Sequence, residues 1–347
     1  MFEMVLGIVI YLVIIVLLFF GCKPNPDNPD YLSRNTGIHI RGVCCLMVLL
    51  GHLFGGVKGL SWYYADQAGA CGVAVFYFLS GFGLIKSMNP TYMRGFLKRK
   101  LPKLWIPVAF LAVVYYIIYN YLIPYETDAY SGIRNLFFSS LHGDTIVCGS
   151  WYIIAISWLY LAFYGAYRYT FGRGREDWRL FICVVLIAYL IYLVRVFVEG
   201  SGFIWMYTPH MFIVGMIWSI NEKKILSDKK VIGILFILAL LGIIIAGFIE
   251  ARSRGGHVLA TIMYSSGFAF VMIFITRNLR IGNRITDFIG RNSFGIYLTH
   301  QLMIYILDRS INNVMVWLIA SVVSSIVIGS AFNAALNRIY RRIGISK

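Results

Sequence analysis

The chain has 347 residues, 59% of them hydrophobic and 13% charged, with a mean hydropathy of +0.75. No soluble globular domain carries that balance; repeated long apolar runs mark an all-α polytopic membrane protein. The formal net charge of +16 does not make the chain a nucleic-acid binder, because basic residues also gather on the cytoplasmic loops of membrane proteins.

In chain order, eleven apolar runs read as membrane helices: 4–21, 37–57, 69–88, 104–123, 150–170, 180–198, 206–220, 231–249, 257–276, 289–307 and 312–332. The first lacks a basic start and a small-residue cleavage site, so it reads as an uncleaved anchor rather than a signal peptide. Residues 1–30 are then an N-terminal anchor and linker, and 31–347 a membrane-embedded domain with a short basic tail. The connections alternate in charge. One set carries Lys23, Arg34 and Arg41, then Lys86, Arg94, Lys98, Arg99, Lys100 and Lys103, then Arg168, Arg173, Arg175 and Arg179. It continues with Lys223, Lys224, Lys229 and Lys230, with Arg277, Arg280, Arg284 and Arg291, and with the tail. The opposite set holds only Lys58, Arg134, Arg252, Arg254 and Arg309. The positive-inside rule puts the first set in the cytoplasm, with the N-terminus outside and the C-terminus inside. The longest outer connection, 124–149, carries Glu126, Asp128, His142 and Asp144; it reads as a cover over a cleft or as a solvated loop.

The six cysteines, Cys22, Cys44, Cys45, Cys71, Cys148 and Cys183, form no CxxC pair and no zinc-spaced cluster with histidine. No metal and no disulfide framework is expected. Chemistry points instead to the second run, GIHIRGVCCLMVLLGH. Arg41 and His52 are eleven residues apart, about three turns, so they share a helix face with a rise of about 16 Å between them. Ionisable groups inside a membrane helix usually mark a pathway or a site. By itself the pair also fits an interfacial arginine and a hydrogen-bonded helix-end histidine. The tenth run, GRNSFGIYLTH, places His300 at a similar depth with Tyr297 one turn before it. His210 is a weaker candidate at the outer end of the seventh run. Gly51 and Gly55 have GxxxG spacing for close helix approach, and Ser80-Gly81-Phe82-Gly83 allows a backbone approach or a break. Arg99 and Lys103 are four apart and face the same way, as a polyanion site or as lipid contacts.

Taken in order, four stretches resemble the acyltransferase-3 family of membrane O-acyltransferases, including its fucose-acetylase-like and polysaccharide-modifying members. They are Arg41 to His52, eleven apart within the second run; GVAVFYFLSGF over 72–82; KRKLPKLWIP over 98–107; and IGRNSFGIYLTH over 289–300. The resemblance brackets residues 36–335. It implies a bundle of about ten helices, here with one extra N-terminal helix. It also implies a cytoplasmic acyl-CoA donor, with acetyl the expected acyl group, and a hydroxyl of an extracytoplasmic carbohydrate as acceptor. The chain departs from the family pattern in lacking an acidic residue near Ala74 and in the helix GSWYIIAISWLYLAF, so His52 has no assigned carboxylate partner.

These readings combine into one mechanism. Arg41, Arg99 and Lys103 bind the donor phosphates. His52 acts as general base on the acceptor hydroxyl. His300 or Tyr297 orients His52 or stabilises the oxyanion, and transfer runs directly or through an acyl-histidine. The competing reading is a transporter for a lipid-linked sugar or small solute, using the same polar track. Such transporters show paired interrupted helices, and the sequence contains no such pairing.

Overall fold

A computed structural model describes residues 2–55, 63–118, 147, 149–198, 206–253 and 258–345. Eleven helices of eighteen residues or more fall on the eleven apolar runs: α1 Phe2–Phe19, α2 Arg34–Leu53, α3 Tyr63–Ser87, α5 Phe96–Ile117, α6 Ser150–Tyr169, α7 Trp178–Val198, α8 His210–Ser227, α9 Lys229–Ser253, α10 Val258–Asn278, α11 Arg284–Ser310 and α12 Val314–Arg342. A single turn, α4 Pro90–Met93, precedes α5. Seven of the helices, α2, α3, α5, α7, α9, α10 and α12, are long and apolar enough to cross a membrane. The protein is an all-α, multi-pass membrane protein.

Several helices extend past the apolar runs because polar residues cap them in water. Ser33 accepts from the Thr36 amide and starts α2. Asn283 and Thr286 form a reciprocal capping box that starts α11 five residues before its apolar stretch. Asn313 caps α12, which runs on to Arg342 and past the membrane stretch.

α2 is the axis of the bundle and is mostly buried. It packs on α3 and α11; α3 packs on α8 and α10, and α11 on α12. Glycine sets these distances. A Cβ at Gly42 would collide with the Thr286 carbonyl, and one at Gly290 with the Ile38 carbonyl. Gly81 and Gly215 press in the same reciprocal way on the Phe212 and Phe78 carbonyls. In lipid, where apolar surface gives no preference for helix association, such close approach supplies the packing energy. Thus Gly81 serves backbone approach, and α3 runs unbroken through it. Near the far end of α2, Gly51 lies against Gly69, whereas Gly55 meets only its own helix.

The basic connections gather at one end. A two-residue strand, β1 Lys23–Pro24, pairs antiparallel with β2 Leu279–Arg280. Asp27 bridges Lys229 at 3.0 Å and Arg277 at 3.2 Å, Lys86 pairs with Glu222, and Tyr340 donates to the Lys103 carbonyl at 3.0 Å. The linker before α2 is therefore stitched into the bundle. The opposite connection 124–149, with Glu126, Asp128, His142 and Asp144, lies outside the described residues apart from Val147 and Gly149, as do Lys58, Arg134, Cys148 and Arg254.

Candidate active site

Three cavities follow the face of α2 on which Arg41 and His52 lie. Two are at the basic end. One, about 470 Å³, is lined by the linker residues 29–33 and Arg34 at the start of α2, together with Arg41, Lys86 and Glu222. The other, about 460 Å³, is lined by Arg34, Arg41, Lys100, Ser80, Tyr152 and Tyr160 among others. They share Arg34, Arg41, Leu79, Gly83 and Ser87, so they form one branched space. The third cavity, about 260 Å³, lies at the far end and is lined by His52, Gln67, Trp151, Tyr207, Thr208 and Thr261 among others. Tyr297 lines both this cavity and the 460 Å³ one and stands as the wall between them.

The two predicted histidines meet across the α2–α11 contact, with ring centroids 5.0 Å apart. His300 is buried. Its Nδ1 lies 2.6 Å from the Tyr297 carbonyl and 3.2 Å from that of Ile296. A carbonyl only accepts, so Nδ1 carries the proton and Nε2 keeps its lone pair. Among the described residues that Nε2 has no hydrogen-bond partner. His52 receives the Gln301 amide, whose nitrogen is 3.0 Å from Nδ1 and 3.2 Å from Nε2. Accepting from an amide N–H requires an unprotonated ring nitrogen, the form a general base needs. Gln301 was not singled out from the sequence, although it directly follows His300.

The Tyr297 hydroxyl donates to the Gly149 carbonyl at 2.9 Å, and its ring packs on Tyr152 at 5.5 Å and on His300 at 5.9 Å. Gly149 sits at φ +82°, a conformation that strains any L side chain, and a Cβ there would crowd that hydroxyl at 3.1 Å.

Of the predicted cations, Arg41 lines both basic-end cavities. Arg99 and Lys103 do not line these cavities. Gly95, in the left-handed conformation at φ +71°, turns the chain between α4 and α5. Arg99 then folds back onto the carbonyls of Tyr92 and Arg94, the latter at 2.6 Å, and over the Tyr92 ring. Lys103 lies over the Tyr340 ring at 5.9 Å. Lys100, one residue past Arg99, faces the cavity instead, over Tyr160 at 5.5 Å. Arg34 is the other cation missed; it is seven residues before Arg41 and therefore on the same face of α2. His210 bonds Ser266 at 2.9 Å and does not line the far cavity. Among the described residues, no three of His, Cys, Asp and Glu cluster as metal ligands.

A membrane bundle with an anion-suited space at one end, a histidine pair at the other and a tyrosine lining both spaces has the form of a membrane-embedded group-transfer enzyme. The family model described as an acyltransferase domain, acyltransferase 3, matches residues 38–334. The chain belongs to the acyltransferase-3 family and is a membrane acyltransferase. No curated protein and no solved structure matches it.

Proposed function

We propose that the protein is a plasma-membrane O-acyltransferase carrying an acyl group, acetyl by family resemblance, from cytoplasmic acyl-CoA to a hydroxyl of an extracytoplasmic carbohydrate. Residues 31–347 form the catalytic unit. The basic end faces the cytoplasm, with the N-terminus outside and the C-terminus inside, on the charge alternation of the connections. The observation that carries the reading is that Tyr297 lines both an arginine-lined space and the cavity that holds His52.

The mechanism follows from charge and depth. Among the described residues, Arg41 has no ion-pair partner, and Lys100 has only the Tyr160 ring. Both are suited to phosphate oxygens by charge-assisted hydrogen bonds. The pantetheine arm runs from there along Ser80, Tyr152 and Tyr160 toward Tyr297, carrying the thioester to the wall between the cavities. The acceptor enters the far cavity. His52 takes the hydroxyl proton as the oxygen attacks the thioester carbonyl. The C–O bond forms, the C–S bond breaks, and the departing thiolate takes up that proton. His300 is a positioning residue packed behind His52, and Tyr297, released from Gly149, can donate its hydroxyl to the oxyanion. Among the described residues, α2, α3 and α11 run unbroken past the cavities, without the interrupted helices that usually mark a transporter site.

The test is reconstitution of the full chain in vesicles with labelled acetyl-CoA on the side of the basic end and a glycan acceptor on the other. Ester-linked label should appear on the glycan. Release of free acetate without ester, or solute flux without acyl consumption, would sink the proposal.

A further inference from the structure

The linker ahead of α2 builds a wall of the larger basic-end cavity, and it lies outside the region matched to the family, which begins at residue 38. It is firmly held. The Asn25 and Asn28 amides donate to the Asn278 and Arg277 carbonyls, both at 2.9 Å, and the Asn28 side chain donates to Thr276 at 3.0 Å. The Arg277 guanidinium donates back to the Asn28 carbonyl at 2.9 Å. On the other side, the Tyr31 hydroxyl donates to Glu222 at 2.7 Å and accepts from the Trp218 indole at 2.8 Å. Thr36 on α2 donates to the Asp30 carbonyl at 2.8 Å.

This arrangement fixes the charge of the cavity. Its cations are Arg34, Arg41 and Lys86, and its acids are Asp30 and Glu222. Lys86 and Tyr31 both bind Glu222, so that carboxylate is already neutralised. Asp30 is exposed at the mouth. Arg34, like Arg41, has no ion pair among the described residues. Seven residues of helix separate the two arginines, a rise of about 10 Å along one face. Two uncompensated guanidinium groups at that distance suit one ligand with two separate anionic centres.

We propose that residues 29–34, with Arg34 as the cation, form a subsite for the nucleotide end of the donor. Arg34 takes the phosphate on the ribose, while Arg41 takes the pyrophosphate deeper in. The proposal rests on the acyl-CoA reading above. It makes the N-terminal linker a determinant of donor choice: the protein distinguishes a full nucleotide thioester from one lacking the ribose phosphate.

The test compares acetyl-CoA with acetyl-3′-dephospho-CoA as donors for the full-length protein. The wild type should show a KM about tenfold lower for acetyl-CoA at similar kcat, the size of one exposed charge-assisted contact. Arg34→Gln should raise the KM for acetyl-CoA, leave that for the dephospho donor unchanged, and so close the gap. Arg41→Gln should weaken both donors alike. Arg34 is exposed, so its substitution leaves the bundle intact, and size-exclusion chromatography in detergent checks that. A gap that persists in Arg34→Gln, or an equal loss for both donors, overturns the subsite while leaving the acyl-CoA reading standing. Wild-type protein that transfers from neither donor overturns that reading and the subsite with it.

Discussion

The two ends of α2 differ in kind. At the Arg41 end, two joined cavities of about 460 and 470 Å³ are rich in hydroxyls and cations. At the His52 end, one cavity of about 260 Å³ ends on His52, against which His300 packs. A wide charged space holds a ligand by many contacts that do not change during reaction. Contacts that strengthen as a bond forms, and only these, raise turnover, and in the proposed function they fall to the smaller space. The proposed function therefore assigns binding and chemistry to two levels of a single helix, about 16 Å apart.

The largest expected effect is at the narrow end. His52→Ala should lower turnover by about 10²–10⁴-fold and leave binding of a non-hydrolysable acyl-CoA analogue intact. Calorimetry on the detergent-purified variant, beside a transfer assay, reads both. Normal transfer by this variant would erase the division between the ends.

At the wide end the pattern should reverse. Arg41→Ala should raise the KM for acyl-CoA by about 10- to 100-fold with a smaller effect on kcat. Arg41→Lys sharpens the point: partial retention means that charge suffices, and a loss as deep as alanine means a bidentate contact. If Arg41→Ala instead lowered kcat at saturating donor, the arginine would belong with the chemistry.

His300 should give an intermediate effect. His300→Gln keeps a hydrogen-bonding side chain and should retain about tenfold more activity than His300→Ala, with both eluting as folded protein in detergent. Equal loss in two folded variants would make the free Nε2 lone pair, rather than the positioning of His52, the contribution of this residue.

The smallest effect is expected outside the cavities, at the linker clasp. Lys229 hydrogen-bonded to Asp27, with Arg277 adding its charge, holds the Asp27 carboxyl below the usual carboxylate range. A lowered folded-state pKa contributes stability that is present above the unfolded value, about 3.9, and lost as pH falls through the folded one. Asp27 is exposed to solvent, so Asp27→Asn should shift thermal unfolding only slightly near neutral pH, and the shift should vanish in acid. A difference that grows as pH falls below about 4 would contradict this assignment.

Helix existence was readable from apolar runs, since a segment crossing lipid must satisfy its own backbone and be apolar on its outside. Helix ends were less readable, because α11 starts five residues early under its Asn283 cap and α12 runs on at its C-terminal end to Arg342. The Arg41–His52 face followed from the helical repeat alone. Which basic residue of this stretch faces the cavity was not readable, for a definite reason. Four basic residues crowd the start of α5, and whichever face turns inward is set by the Gly95 corner and by packing on α6. Only Lys100 reaches the cavity.

The sequence by itself determined the membrane class, the number of long helices, the basic end and the arginine and histidine on α2, because these depend on local composition and a fixed helical repeat. Tertiary structure decided what a one-dimensional pattern does not contain. It brought His52 within 5.0 Å of a ring 248 positions away, laid the linker along the larger basic-end cavity, and anchored Tyr297 on the carbonyl of Gly149. Those contacts arise from how glycine-lined helix faces interlock, and the choice of neighbour for each face is a property of the packed bundle.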